Sequence, residues 1–153
     1  MANTYTQLHI QIVFAVQHRN ALIQPSCEEE LYKYITGIVQ NNGQKMLAIN
    51  GTSNHIHFLI GMQPNCSLSD LVREIKKSSN AFVKEKHYSP FNFRWQEGFG
   101  AFSYGHSQLT DVIHYIANQK EHHKKRSFKE EYEAFLKAFE IDYKCEYLFD
   151  WID

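Results

Sequence analysis

The stretch Asn54-His55-Ile56-His57-Phe58-Leu59-Ile60-Gly61, NHIHFLIG, reads as a strand and poses a chemical problem at once. Its apolar residues, preceded by the turn-forming Gly51-Thr52-Ser53-Asn54, predict a buried strand over 55–61. Side chains alternate along a strand, so His55 and His57 project to one face. Two imidazoles about one pleat apart can chelate a divalent metal, or they can be packed and hydrogen-bonded like many sheet histidines. The pair alone does not choose. Metal chemistry would need a third ligand and a reactive group.

Working outward, residues 44–51 predict a short strand that makes a hairpin with 55–61. Residues 5–17, YTQLHIQIVFAVQ, are rich in β-branched and aromatic residues and predict the first strand. Between them Ser26 is placed to cap a helix whose Glu28, Glu29 and Glu30 favour the N-terminal dipole. Leu31, Ile35, Ile38 and Val39 form its stripe, and it ends near Asn41-Asn42-Gly43. Ser67-Leu68-Ser69-Asp70 caps a second helix to about residue 87, with Leu71, Val72, Ile75, Ala81 and Phe82 facing inward. A loop carrying Trp95 leads to a strand near 101–106. The order β-α-β-β-α-β is the ferredoxin-like pattern of the α+β class, an antiparallel sheet with both helices on one face. A helix from Gln108 to about Lys125 and a short one from Ser127 to Phe139 follow, and no linker divides residues 1–153 into two domains.

At 153 residues, with 43% hydrophobic and 14% aromatic content, the chain suits one packed core rather than disorder. Its longest strongly apolar run, Ile12–Val16, is far too short to span a bilayer, and MANTYTQLH lacks a signal-peptide pattern, so a cytoplasmic protein is expected. Cys27, Cys66 and Cys145 are scattered and read as free thiols. The net charge of -1 hides an asymmetry. Residues 73–126 hold ten Lys or Arg against five acids, and residues 127–153 hold three against eight. The middle of the chain could face a polyanion and the tail could not, although local clustering on a solvated surface gives the same pattern.

The helix over Gln108–Lys125, QLTDVIHYIANQKEHHKK, has one apolar stripe at Leu109, Val112, Ile113 and Ile116. Tyr115 and Gln119 lie about 40° apart around its axis and about 6 Å apart along it, and so share a face. That face continues to His122 and borders His123, Lys124 and Arg126. A boundary aromatic beside a solvated glutamine is the alternative for such a pair.

Taken together, NHIHFLI, the segment WQEGFGAFS at Trp95–Ser103 and the helix motif YIANQKEHH at Tyr115–His123 resemble the HUH-type single-tyrosine transposases, of which the REP-associated tyrosine transposases are relatives. HUH denotes His, bulky hydrophobic, His, as in His55-Ile56-His57. The resemblance runs over nearly the whole chain. It implies Tyr115 as nucleophile, with His55, His57 and Gln119 binding Mg²⁺ or Mn²⁺. It also implies cleavage and rejoining of single-stranded DNA at hairpin-marked element ends through a 5′-phosphotyrosine, which keeps the bond energy needed for strand transfer without ATP.

The same resemblance implies hairpin DNA as partner and a homodimer in which the tyrosine helix of one subunit completes the histidine site of the other. The setting would be a bacterial or archaeal cell, with the protein at the nucleoid when bound to DNA. Candidate phosphate contacts are Arg73, Lys76, Lys77, Lys84 and Lys86, with His122 and His123 beside the tyrosine. Trp95, Phe99 and Tyr104 either stack on bases or pack the loop against the sheet; packing is expected for Trp95. Tyr104 is a rival nucleophile without a glutamine at helical spacing, and His114 points about 100° away from Tyr115. Asn54 either orients a ligand histidine or ends the turn. Three other functions stay open: a non-catalytic nucleic-acid-binding module, a phosphodiesterase that uses water, and a domesticated relative cutting dispersed genomic hairpins.

Overall fold

Alternation along the central strands sorts the side chains onto two faces of different chemistry. The computed structural model describes residues 3–17, 23–89, 92–144, 148, 149 and 151. Strands β1 (His9–Ala15), β2 (Lys45–Gly51), β3 (His55–Gly61) and β4 (Gly100–Tyr104) form one antiparallel sheet in the order β2-β3-β1-β4. This is the ferredoxin-like arrangement expected, with β1, β2 and β4 shorter than predicted, β1 most of all. Register sets Gln11 against Leu59 and Phe102, and Val13 against His57 and Gly100. Those residues, with His55, share one face, while Ile12, Phe14, Ile56, Phe58 and Ile60 take the other.

The apolar face is covered by α1 (Glu28–Asn41) and α2 (Leu68–Glu85). Leu31, Ile35 and Val39 of α1 and Leu71, Val72, Ile75 and Val83 of α2 are buried in the same core as the strand residues. A buried Phe or Ile of this kind contributes about 1.5–3 kcal/mol. Ser67 caps α2 as expected, accepting from the Asp70 amide. Two expectations need correction. Cys27, without a side-chain cap bond, precedes α1 in place of Ser26, because Pro25–Cys27 are taken up in a turn. In α2 the inward phase runs Ile75, Ser79, Val83, four residues at a time, which leaves Ala81 exposed and Phe82 half-buried against the Tyr34 ring. Ser79 belongs inside because its hydroxyl accepts from the Trp95 indole N–H at 2.9 Å.

The histidine face is covered by the C-terminal helices. The predicted Gln108–Lys125 helix is broken: a 3-10 turn over His106–Gln108 leads into α3 (Leu109–Ala117), and Asn118 separates it from α4 (Gln119–His122). Asn50 of β2 fixes the joint, donating to the Ala117 carbonyl at 3.0 Å and accepting from Lys120 at 2.9 Å. Val112 and Ile116 of α3 pack with Leu59. Helix α5 (Phe128–Ala138), capped by Ser127, closes the same face. It comes so near β4 that a Cβ on Gly100 would stand 2.6 Å from the Tyr132 hydroxyl oxygen. Cys27 and Cys66 are free thiols, and Cys145 lies outside the described residues. No helix among the described residues is long and apolar enough to cross a membrane.

Candidate active site

The two histidines sit on adjacent odd positions of β3 and are fully buried, as is Gln119 at the start of α4. His55 Nδ1 lies 2.6 Å from Asn54 Oδ1 and 3.0 Å from Thr52 Oγ1. The amide oxygen only accepts, so Nδ1 carries the proton and Nε2 presents its lone pair. That lone pair faces Gln119 Oε1 at 3.3 Å and Glu131 Oε1 at 3.4 Å. Burial lowers the His55 pKa to about 4, against the raising effect of Glu131, so the ring is neutral near pH 7. Asn54 therefore orients a histidine as well as ending the turn.

Glu131, on α5, is the centre of the cluster and is buried. Its carboxylate accepts from His57 Nε2 at 2.8 Å and Gln119 Nε2 at 3.1 Å, meets His123 Nε2 at 3.1 Å, and accepts from the Tyr115 hydroxyl. Burial pushes its pKa up, but the electrostatic pull of His57 and the hydrogen bonds from His57 and His123 outweigh burial and hold the carboxyl well below the usual range. The Tyr115 phenol is pushed the other way, above its ordinary value, by burial first and then by the charge and hydrogen bond of Glu131. Its ring stacks on His122 at 4.5 Å between centroids.

This donor set fits a divalent cation. One nitrogen of His55, one of His57 and a Glu131 oxygen all lie within 4.8 Å of one another. His55 Nε2, Gln119 Oε1 and Glu131 Oε1 point lone pairs at a common centre with no proton between them, an arrangement that repels itself until a cation enters. Nitrogen and oxygen donors together suit Mn²⁺, and Mg²⁺ less closely.

Tyr115, Gln119, His55 and His57 thus converge from one chain, and His122 and His123 border them. The basic residues of α2 lie elsewhere. Arg73, Lys76 and Lys77 line a groove with Arg94, Gln96 and Phe99, and Lys84 and Lys86 are exposed at the end of α2. Lys76 is not a free cation: it donates to the Gln96 and Gly98 carbonyls at 2.8 and 2.5 Å and lies over the Phe14 ring, and burial lowers its pKa to about 8. Its first task is to hold the Trp95 loop. Trp95 packs in the core, as expected. Tyr104 donates to Gln11 and has no hydrogen bond to the cation donors among the described residues, and His114 is exposed.

Two functional residues escaped sequence reasoning, Glu131 and Gln11. Glu131 had a readable signal, an acid on the apolar face of α5 between Phe128 and Phe135. Gln11 had a similar one, an amide within the run His9–Val16, but its partner is set only by strand pairing.

The fold and the buried His-His-Gln-Glu cluster together define a ferredoxin-like protein with a cation-type site beside a tyrosine. The family profile described as "Transposase IS200 like" matches residues 4–119, and the chain belongs to that family. Its chemistry is therefore cleavage and transfer of DNA strands. A candidate transposase from Deinococcus radiodurans R1 has a similar fold, with TM-score 0.58 and 18% identity over 78% of this chain and 95% of that one. So does the REP-associated tyrosine transposase bound to a REP hairpin, with TM-score 0.61 and 16% identity over 80% of this chain and 73% of that one. No curated protein sequence matches the chain.

Proposed function

We propose that residues 1–153 form one HUH catalytic domain that cuts and rejoins single-stranded DNA at hairpin-marked ends, with Tyr115 as nucleophile. The observation that carries this reading is the hydrogen bond from the Tyr115 hydroxyl to Glu131, within a cluster that also holds His55, His57 and Gln119. His55, His57, Gln119 and Glu131 would hold Mg²⁺ or Mn²⁺, which when bound supplies positive charge for the scissile phosphodiester. Tyr115 attacks phosphorus in line. The Tyr–O–P bond forms as the bond to the upstream 3′-oxygen breaks, the phenol proton passes to water, and the 3′-oxygen leaves as a hydroxyl after protonation from water. The product is a 5′-phosphotyrosine, which another 3′-OH can attack to join new ends.

A cavity of about 430 Å³ between α3 and α5 opens beside Tyr115 and is lined by Tyr104, Asp111, Phe135 and Phe139. Its place beside the phenol suits a nucleotide next to the scissile phosphate. The groove at Arg73, Lys77 and Arg94 suits phosphates of the hairpin stem. The hairpin in the structurally similar REP-associated transposase supports hairpin DNA as the partner. A homodimer with sites in trans is what the resemblance implies, whereas the convergence of Tyr115, Gln119 and Glu131 on histidines of their own chain supports closure in cis.

The test is end-labelled hairpin DNA with Mn²⁺. A covalent adduct is expected with the natural protein, none with Tyr115→Phe, and very little with His57→Ala or chelator. An adduct with Tyr115→Phe would overturn the nucleophile.

A further inference from the structure

Gln11 is fully buried on the histidine face of β1, between the half-buried His9 and the apolar Val13 and Ala15. Both ends of its amide are engaged. Nε2 lies 2.8 Å from His57 Nδ1, and Oε1 accepts from the Tyr104 hydroxyl at 2.9 Å. An amide nitrogen only donates, so His57 Nδ1 accepts, and the ring carries its proton on Nε2, the atom that reaches Glu131 at 2.8 Å. His55 has the opposite tautomer, because Asn54 Oδ1 draws the proton to Nδ1. The histidine pair is therefore half-set: His55 offers the cluster a lone pair, and His57 offers an N–H.

A histidine that ligates a cation must offer a lone pair. We infer that Gln11 is a positioning residue that switches His57 between a resting tautomer, Nε2–H on Glu131, and a ligand tautomer, Nδ1–H on Gln11. Turning the terminal amide by half a turn sets Oε1 on His57 Nδ1 and Nε2 on the Tyr104 oxygen. A hydroxyl both donates and accepts, so Tyr104 serves either orientation, and burial keeps it protonated by raising its pKa to about 12. The proton on Nε2 passes to water and water supplies the one at Nδ1, so the imidazole keeps its charge and no net proton is gained or lost. Glutamine is suited to this position because a leucine would leave Nδ1 without a partner, and a glutamate would accept from Nδ1 permanently.

The inference rests on the cation reading of the site, and two measurements separate the two. Ring-nitrogen NMR of ¹⁵N-histidine-labelled full-length protein reports each tautomer, without metal and with Mg²⁺; Mn²⁺ binding is followed by electron paramagnetic resonance. In metal-free natural protein His57 is expected as Nε2–H and His55 as Nδ1–H, and with Mg²⁺ both as Nδ1–H. Gln11→Glu is expected to show His57 as Nδ1–H already without metal. Gln11→Met keeps the volume, leaves His57 without its switch and is expected to weaken Mn²⁺ binding about 10-fold or more. If Gln11→Met does not fold, the natural protein and Gln11→Glu still decide. A His57 tautomer that is the same with and without Mg²⁺ in protein that binds it overturns the switch alone. Natural protein that binds neither ion overturns the cation reading and the switch with it.

Discussion

The Tyr115 hydroxyl donates to a carboxylate oxygen of Glu131, sixteen residues further along the chain and beyond the span that the family profile matches. The phenol is held by a charge that discourages its ionisation. The same carboxylate is one of the donors facing the cation-type centre, so entry of a cation there would draw negative charge off the phenol and favour its ionised form. Tyrosine reactivity and cation occupancy are thus coupled through one side chain.

Glu131→Gln tests that coupling. The amide keeps the shape and loses the charge, so Mn²⁺ binding should weaken about 10- to 100-fold and adduct formation should fall in parallel. Calorimetric titration with Mn²⁺ alongside labelled hairpin DNA checks both. Normal affinity and normal adduct would place Glu131 outside the chemistry.

Metal-free protein should lose stability in mild acid. His55 has a folded pKa of about 4 against an ordinary 6.5, so between these values the unfolded chain binds a proton that the folded chain does not. Its contribution is complete above pH 6.5 and lost as pH falls toward 4, on the order of 3 kcal/mol for a shift of this size. Glu131, held low in the fold, adds loss in the same direction below its unfolded value near 4.5. Urea midpoints in chelator should be flat from pH 7 to 8 and drop steadily from 6.5 to 4. A flat profile across that window would show that His55 is not buried as a neutral ring.

Gly100→Ala reports on the site from a distance. Its Cβ would stand 2.6 Å from the Tyr132 oxygen, so α5 must shift from β4, at a cost of about 1–3 kcal/mol. Glu131 is the residue before Tyr132, and Mn²⁺ binding should therefore weaken while the fold persists. Thermal melting and Mn²⁺ titration together check this; a stable variant with unchanged affinity would separate α5 placement from the site.

The sheet, its histidine pair and the tyrosine helix were legible because each is written in local periodicity: alternation at 55–61 and a stripe at Leu109, Val112, Ile113 and Ile116. The break at Asn118 was not, because α3 and α4 continue one helical pattern and the joint is set by Asn50 on a distant strand. Lys76 looked like a DNA contact for the same reason: its partners, the Gln96 and Gly98 carbonyls, lie twenty or more residues away. Gln11 and Glu131 show the general case, since a polar residue in an apolar pattern announces that it has a partner without saying which one.

The last question is which chain supplies the tyrosine. Gln119 and Tyr115 reach His55 and Glu131 within one chain, and the joint at Asn118 is tied to β2 by Asn50 and by Lys120, which also pairs with Glu28 at 3.0 Å. Exchange of α3 and α4 between subunits would require all of these contacts to re-form on a partner. Tyr115→Phe and His57→Ala proteins, each inactive alone, should therefore stay inactive when mixed and incubated with labelled hairpin DNA and Mn²⁺. If the tyrosine helix is exchanged, a mixed dimer carries one site with both natural residues, and up to about one quarter of natural adduct formation should return, by random pairing of equal amounts with one of two sites intact in half of the dimers. Recovery of that order would establish assembly in trans and assign the intrachain contacts of Asn50 and Lys120 to the unpaired chain.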